Sequence, residues 1–139
     1  MIFDQQTLLS DAQAITATAA STNVIDLGPI KTGIVRDIGK GKPIPLLVQV
    51  LEQFTAAGAG TLTVALQVDD NEAFSSAKTV WTSATFALAT LKPGFVVIPE
   101  YIPRGTDERY MRLNYTVATG PMTAGKVTAG VTMGNQSNG

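Results

Sequence analysis

Thr61-Leu62-Thr63-Val64-Ala65-Leu66-Gln67-Val68 decides the fold class of this chain. Successive side chains of a strand point to opposite faces. Leu62, Val64, Leu66 and Val68 therefore share one side, and Thr61, Thr63, Ala65 and Gln67 share the other. Alternation with period two marks a strand with one buried face.

The same period recurs on both sides of that stretch. Leu46 to Phe54 places Leu46, Val48, Val50 and Phe54 on a core face. Its opposite face carries Leu47 and Leu51 between Gln49 and Gln53, which predicts a covering there too. Tyr110 to Ala118 sets Met111, Leu113, Tyr115 and Val117 against Tyr110, Arg112, Asn114 and Thr116. Lys126 to Met133 turns Val127, Ala129, Val131 and Met133 inward. Shorter candidates are Ile15 to Ala20, Asn23 to Leu27, Thr79 to Ser83 and Phe95 to Ile98. The total is about eight strands, the number of a jelly roll.

Breakers separate these runs: Gly28-Pro29, Gly58 to Gly60, Pro93-Gly94, Arg104-Gly105 and Gly120-Pro121. Pro43, Pro45, Pro99 and Pro103 lack an amide donor and belong at strand ends or sheet edges. Asp69 and Glu72 have the spacing of a capping box ahead of Ala73-Phe74, which predicts one short helical turn within Asp69 to Ala77. Ile30 to Lys42 reads as a long loop. The expectation is an all-β chain with one domain over 1–139: a jelly-roll-like β-sandwich of antiparallel strands. Residues 1–12 are expected as an extended arm and 135–139 as a flexible tail.

Composition narrows the function. A chain of 139 residues can bury roughly two-thirds of its unfolded surface, so it needs no metal or disulfide to fold. With no cysteine, thiol nucleophiles and thiolate metal sites are excluded. With no histidine, the commonest general base and metal ligand is missing, and a Ser-His-Asp triad cannot form. Net charge is −1, which supplies no global field to steer nucleic acid. Charged residues make up 15% of the chain, against about 25% in an average domain. No stretch reaches the roughly 20 apolar residues that span a bilayer. Ala17-Thr18-Ala19 is similar to a signal-peptidase site, but Asp4, Asp11 and Gln13 break the segment before it. No secretion signal, no membrane partner and no nucleic-acid partner are expected.

Asp69-Asp70-Asn71-Glu72 has contiguous acids, not the alternating ligands of a calcium loop, and reads as a turn and cap. Asp107 and Glu108, with Glu100 nearby in sequence, pose the paired carboxylates of a glycosidase against a solvated turn. Lys31, Arg36, Lys40 and Lys42 form a basic stretch. Its Gly39-Lys40-Gly41-Lys42 lacks the spacing of a phosphate loop, and Pro43 stands where Ser or Thr belongs. The stretch is either a solvated loop or a docking contact for an acidic surface. Tyr115 and Trp81 fall on inward phases, whereas Tyr110 faces outward and can anchor an interface.

Leu9-Ser10-Asp11-Ala12-Gln13-Ala14-Ile15-Thr16-Ala17-Thr18-Ala19-Ala20-Ser21-Thr22-Asn23-Val24-Ile25-Asp26-Leu27-Gly28 resembles the N-terminal block of the cement proteins of tailed phages related to the Bordetella podophage. Val68-Asp69-Asp70-Asn71-Glu72-Ala73-Phe74-Ser75 agrees with a second block. Arg109 to Val117 and Gly125 to Gly130 agree with a third. The resemblance implies a jelly roll on the outer face of a capsid, bound to the major capsid protein of a tailed phage and bridging capsomers against internal DNA pressure. It further implies a homodimer or homotrimer, a place on the virion exterior after synthesis in the host cytoplasm, and no catalytic, cofactor or metal residues.

Within that picture Phe3 and Leu8 of the arm, with Lys31, Arg36, Lys40 and Lys42, are the capsid-contact candidates. Leu47, Leu51, Tyr110 and Arg112 are the subunit-interface candidates. The main rival is a carbohydrate-binding module of a phage tail or adhesion apparatus, which requires exposed aromatics in a groove. A carboxylate-dependent glycosidase would need two carboxylates about 5–10 Å apart in a cleft.

Overall fold

The computed structural model describes residues 3–135. Nine strands form among them: β1 Phe3–Ala14, β2 Ala19–Ala20, β3 Ile25–Asp26, β4 Leu46–Ala56, β5 Thr61–Asp69, β6 Lys78–Thr82, β7 Phe86–Ala87, β8 Tyr110–Ala118 and β9 Met122–Thr132. The four long alternating runs of the sequence are β4, β5, β8 and β9.

Two antiparallel sheets face each other. One has the order β1-β9-β4. The other has the order β2-β8-β5-β6, with β3 also on β8 and β7 also on β5. Residues 94–101 run along the outer edge of β4 without forming a regular strand. Gly94 N–H donates to Val50, Val97 N–H to Val48, and Leu46 N–H to the Glu100 carbonyl. Pro99 sits in this strip and Pro45 at the start of β4, positions where a missing donor costs little. Counting the 94–101 strip as an edge position, and β2 with β3 and β6 with β7 as one position each, the sandwich has the eight positions of a jelly roll. First and last strands are neighbours, and the chain alternates between layers.

The inward faces match the alternation except at Met133, which is expected inward but lies past the end of β9, with no opposite layer over it, and is 84% exposed. Leu46, Val48, Val50 and Phe54 of β4 are at most 1% exposed, as are Leu62, Val64, Leu66 and Val68 of β5. Each such side chain contributes about 1.5–3 kcal/mol by leaving water. Trp81 packs against this core opposite Leu66. Tyr115 is fully buried, and its hydroxyl lies 2.8 Å from Ser10 Oγ in the opposite sheet. Ser10 donates on to Gln13 Oε1, which also accepts from Thr22 N–H and Thr22 Oγ1. Gln13 Nε2 donates to the Ala20 carbonyl. This network ties the two layers together inside the Leu9–Gly28 block.

Besides Met133 and the Phe95 to Ile98 strand, which is only an irregular strip, three local expectations fail. Residues 3–12 are not an arm but most of β1. Phe3 pairs with Thr132 and Leu8 with Gly130, so β1 advances five residues while β9 advances two. That slippage hides the period. Ile15 to Ala20 is not a strand: Ile15 follows β1 as a buried turn residue, and only Ala19–Ala20 pair with β8. The predicted helical turn does not form. Phe74 has φ +53°, left-handed and incompatible with helix, and Asp69 closes 69–76 as a loop. Its Oδ1 accepts Asn71 N–H and Ser76 Oγ–H, and its Oδ2 accepts Ser76 N–H. Of the expected tail, Asn135 is bonded to the Glu100 carbonyl at 3.0 Å, and 136–139 lie outside the described residues.

Candidate interaction surfaces

Residues 12–25, 53–68, 79–91 and 113–125 contain no Asp, Glu, Lys or Arg. The fold brings these stretches together. Met122 N–H donates to Thr16, Ala56 pairs with Met122, Thr61 pairs with both Ala87 and Ala118, and Phe54 N–H donates to Leu91. One end of the sandwich is therefore free of charge.

Charge collects at the other end, where 27–45, 70–77 and 102–109 connect the strands. Three carboxylates and one guanidinium at this end are bound to the chain's own backbone. Asp26 accepts Gly28 N–H and a two-pronged bond from Arg109 at 2.9 Å. The Arg109 bond, then the Gly28 amide, pull its carboxyl down to about 2. Asp37 accepts Gly39 N–H and Gly105 N–H, each at 2.9 Å, and the Gly105 bond chiefly lowers its pKa. Burial works to raise the Asp69 carboxyl, but the Ser76 and Asn71 amides outweigh it and hold it at about 2.

The predicted contact residues separate against this background. Lys31, Lys40 and Lys42 are exposed, and among the described residues none makes an ion pair or a side-chain hydrogen bond. Arg36 does something else. Its Nη1 donates to Leu27 and its Nη2 to Gly28, at 2.8 and 2.9 Å, and its Nε is buried. Arg36 clamps the loop and is not free to meet a partner. Phe3 and Leu8 are half-buried. The Phe3 ring and the Thr7–Leu8 backbone fill the open side of Gly130.

Gly130 pairs with Leu47, so the start of β1 covers that face and Leu47 is only 2% exposed. Leu47 is thus no subunit contact. Leu51 is 46% exposed and remains available. Arg112 stacks its guanidinium 4.2 Å above the Phe74 ring and donates to Gln67, and Arg109 lies over Tyr110. Tyr110 and Arg112 are therefore half-buried by their own chain.

The alternation could not show Ile34 and Val35, which are 57% and 81% exposed in the loop clamped by Arg36. The available signal was an apolar pair after Gly33 in a stretch with no strand period. Ile98 and Met133 are exposed as well. Two clefts open elsewhere. A polar one of about 610 Å³ lies between β1 and β3, with Gln5, Gln6, Thr22, Asn23, Asp26 and Glu72 in its wall. An apolar one of about 310 Å³ is lined by Phe86, Phe95, Val96 and Ile98, its two rings edge to face at 5.0 Å. Tyr101, the exposed tyrosine, lines neither cleft.

The sequence-proposed carboxylates do not share a cleft. Glu100 lies on the strip beside β4, while Asp107 stands before β8 and binds Lys78 at 2.8 Å. Burial, then Asp107, raises the Glu108 carboxyl. Among the described residues no three His, Cys, Asp or Glu side chains are grouped to hold a metal ion. No helix there is long and apolar enough to cross a membrane.

One protein-family model, Bbp16, matches residues 9–131. No curated protein matches.

Proposed function

This chain belongs to the Bbp16 family, a Bordetella-phage protein family, and from that premise we propose that it is a non-enzymatic structural protein of the virion. It binds the outer surface of a tailed-phage capsid and bridges neighbouring capsomers. The observation that carries this reading is the reach of the family match, which takes in all the strands except the first residues of β1 and the last of β9.

Physical features support it. The sandwich encloses a continuous apolar core. Asp26, Asp37, Asp69 and Arg36 at one end are tied to backbone, while three lysines there stay exposed and available to an acidic surface. Self-association, through surfaces that include Leu51, would let several weak contacts engage a lattice at once and bind far more tightly than one.

Co-sedimentation with heads of the phage assembled without this protein tests the proposal. Saturation at a fixed, lattice-matched number of copies, with heads gaining resistance to heat, is the expected result. Absence of binding to intact heads overturns it, and glycan-array binding would then favour the carbohydrate module.

A further inference from the structure

Loop 28–36 combines four features found together nowhere else among the described residues. Its base is locked: Arg36 bonds the Leu27 and Gly28 carbonyls, closing the loop on itself. Its tip is a formed turn, with Ile34 N–H donating to Lys31 at 3.0 Å and Gly33 at φ +86°. Directly after that turn, Ile34 and Val35 present two adjacent aliphatic side chains to solvent, 57% and 81% exposed. Lys31 within the loop, and Lys40 and Lys42 just after it in the chain, are exposed and make no ion pair or side-chain hydrogen bond among the described residues.

The far side of the loop is held equally firmly. Asp37 accepts Gly105 N–H, and Ile38 N–H donates to Thr106. Gly39 packs so closely on the Pro103 backbone that no Cβ fits.

Single exposed aliphatics are ordinary on a protein surface. An adjacent pair in a braced loop is different, because a preorganised contact gives up little entropy on binding. Side chains that a partner encloses and shields from water carry most of the energy of an interface, and burying an aliphatic one is favourable in proportion to its area. The unpaired lysines define the rim of that partner by charge.

We propose that Ile34 and Val35 form a plug that enters an apolar slot on a protein surface, and that carboxylates at the rim of the slot meet Lys31, Lys40 and Lys42. A rigid two-residue tip suits a slot. An anionic membrane would instead reward a broad apolar face. The inference rests on the capsid reading, which supplies the partner as the outer shell protein. It adds where this chain makes contact and reassigns Arg36 from contact to brace.

Three variants test it on heads assembled without the protein, with thermal melting to check folding. Ile34→Ser with Val35→Ser removes the plug from exposed positions, so the melting midpoint stays put while affinity falls by about a hundredfold, the scale of two small apolar groups losing burial. Lys40→Glu with Lys42→Glu slows association, most strongly at low salt. Arg36→Lys keeps the charge, removes the two-pronged clamp, and weakens binding through a mobile tip.

If wild type binds heads and the serine pair binds within twofold of it, the plug is overturned and the capsid reading stands. If wild type does not bind heads, the capsid reading falls and this partner with it. Tighter binding of wild type to vesicles containing phosphatidylserine than to heads replaces the protein slot by a lipid surface and overturns the proposal.

Discussion

The two ends of the sandwich solve the same problem with different chemistry. At both, the chain must turn between layers and satisfy backbone groups that no strand pairs. The charged end uses ions as ligands for its loops: Asp26, Asp37 and Asp69 gather amides, and Arg36 gathers carbonyls. The uncharged end uses short turns, backbone bonds and hydroxyls. Thr55 bonds Thr123, Thr63 bonds Thr85, and Ser83 Oγ accepts Val64 N–H. Asp26, Asp37, Asp69 and Arg36 thus serve as loop scaffolding at that end. Lys31, Lys40 and Lys42 do no such work and stay exposed.

The largest expected effects come from filling a glycine in each half. At Gly125, φ is +144° and a Cβ would enter the ring of buried Phe54. Gly125→Ala should cost about 3 kcal/mol in urea unfolding, with head binding intact for the folded fraction. Gly39→Ala meets Pro103 backbone instead and should cost about 2 kcal/mol while also loosening head binding. Equal loss of binding in both variants would break the assignment of contact to the charged end.

Acid should separate the ends next. Asp26 and Asp69 are both held at about 2, below the unfolded value of about 3.9. Their folded pKa values are depressed, so their stabilisation is complete above about pH 4 and is lost as pH falls through about 2. Amide spectra followed downward from pH 6 should change first at 26–28, 37–39, 69–76 and 105. Residues 14–19, 56–61 and 118–122 should follow later. Simultaneous change at both ends would sink the idea that carboxylates hold only one of them.

Smaller effects sharpen the picture. Tyr115→Phe removes the hydroxyl that bridges the layers and should cost about 1 kcal/mol, since Ser10 keeps its bond to Gln13. Lys78→Ala breaks an exposed ion pair with Asp107 and should cost less than about 1 kcal/mol. A larger loss there would mean that the pair, too, braces a loop.

Legibility followed the same divide. Tyr110–Ala118 reads directly from alternation because both layers of its environment repeat with the pleat. β1 does not, since its register slips against β9 and Ala12 adopts φ +46°. Asp69 has the spacing of a helix cap, yet its carboxylate reaches Ser76 and closes a loop, a choice made by contacts seven residues away. Leu47 and Leu51 look equivalent in the sequence, and only the start of β1 folding over one of them tells them apart.

Arg36 and Lys40 are both basic loop residues, and nothing local distinguishes a brace from a free charge. Residue order alone thus determined the β class, the inward faces, the chemistry excluded by missing Cys and His, and the basic character of the 31–42 stretch, because each is a property of composition or of a two-residue period. Tertiary structure decided which charges are consumed by backbone, which apolar residues are covered, and that Ile34 and Val35 stand exposed in a braced loop, because those depend on partners distant in the chain.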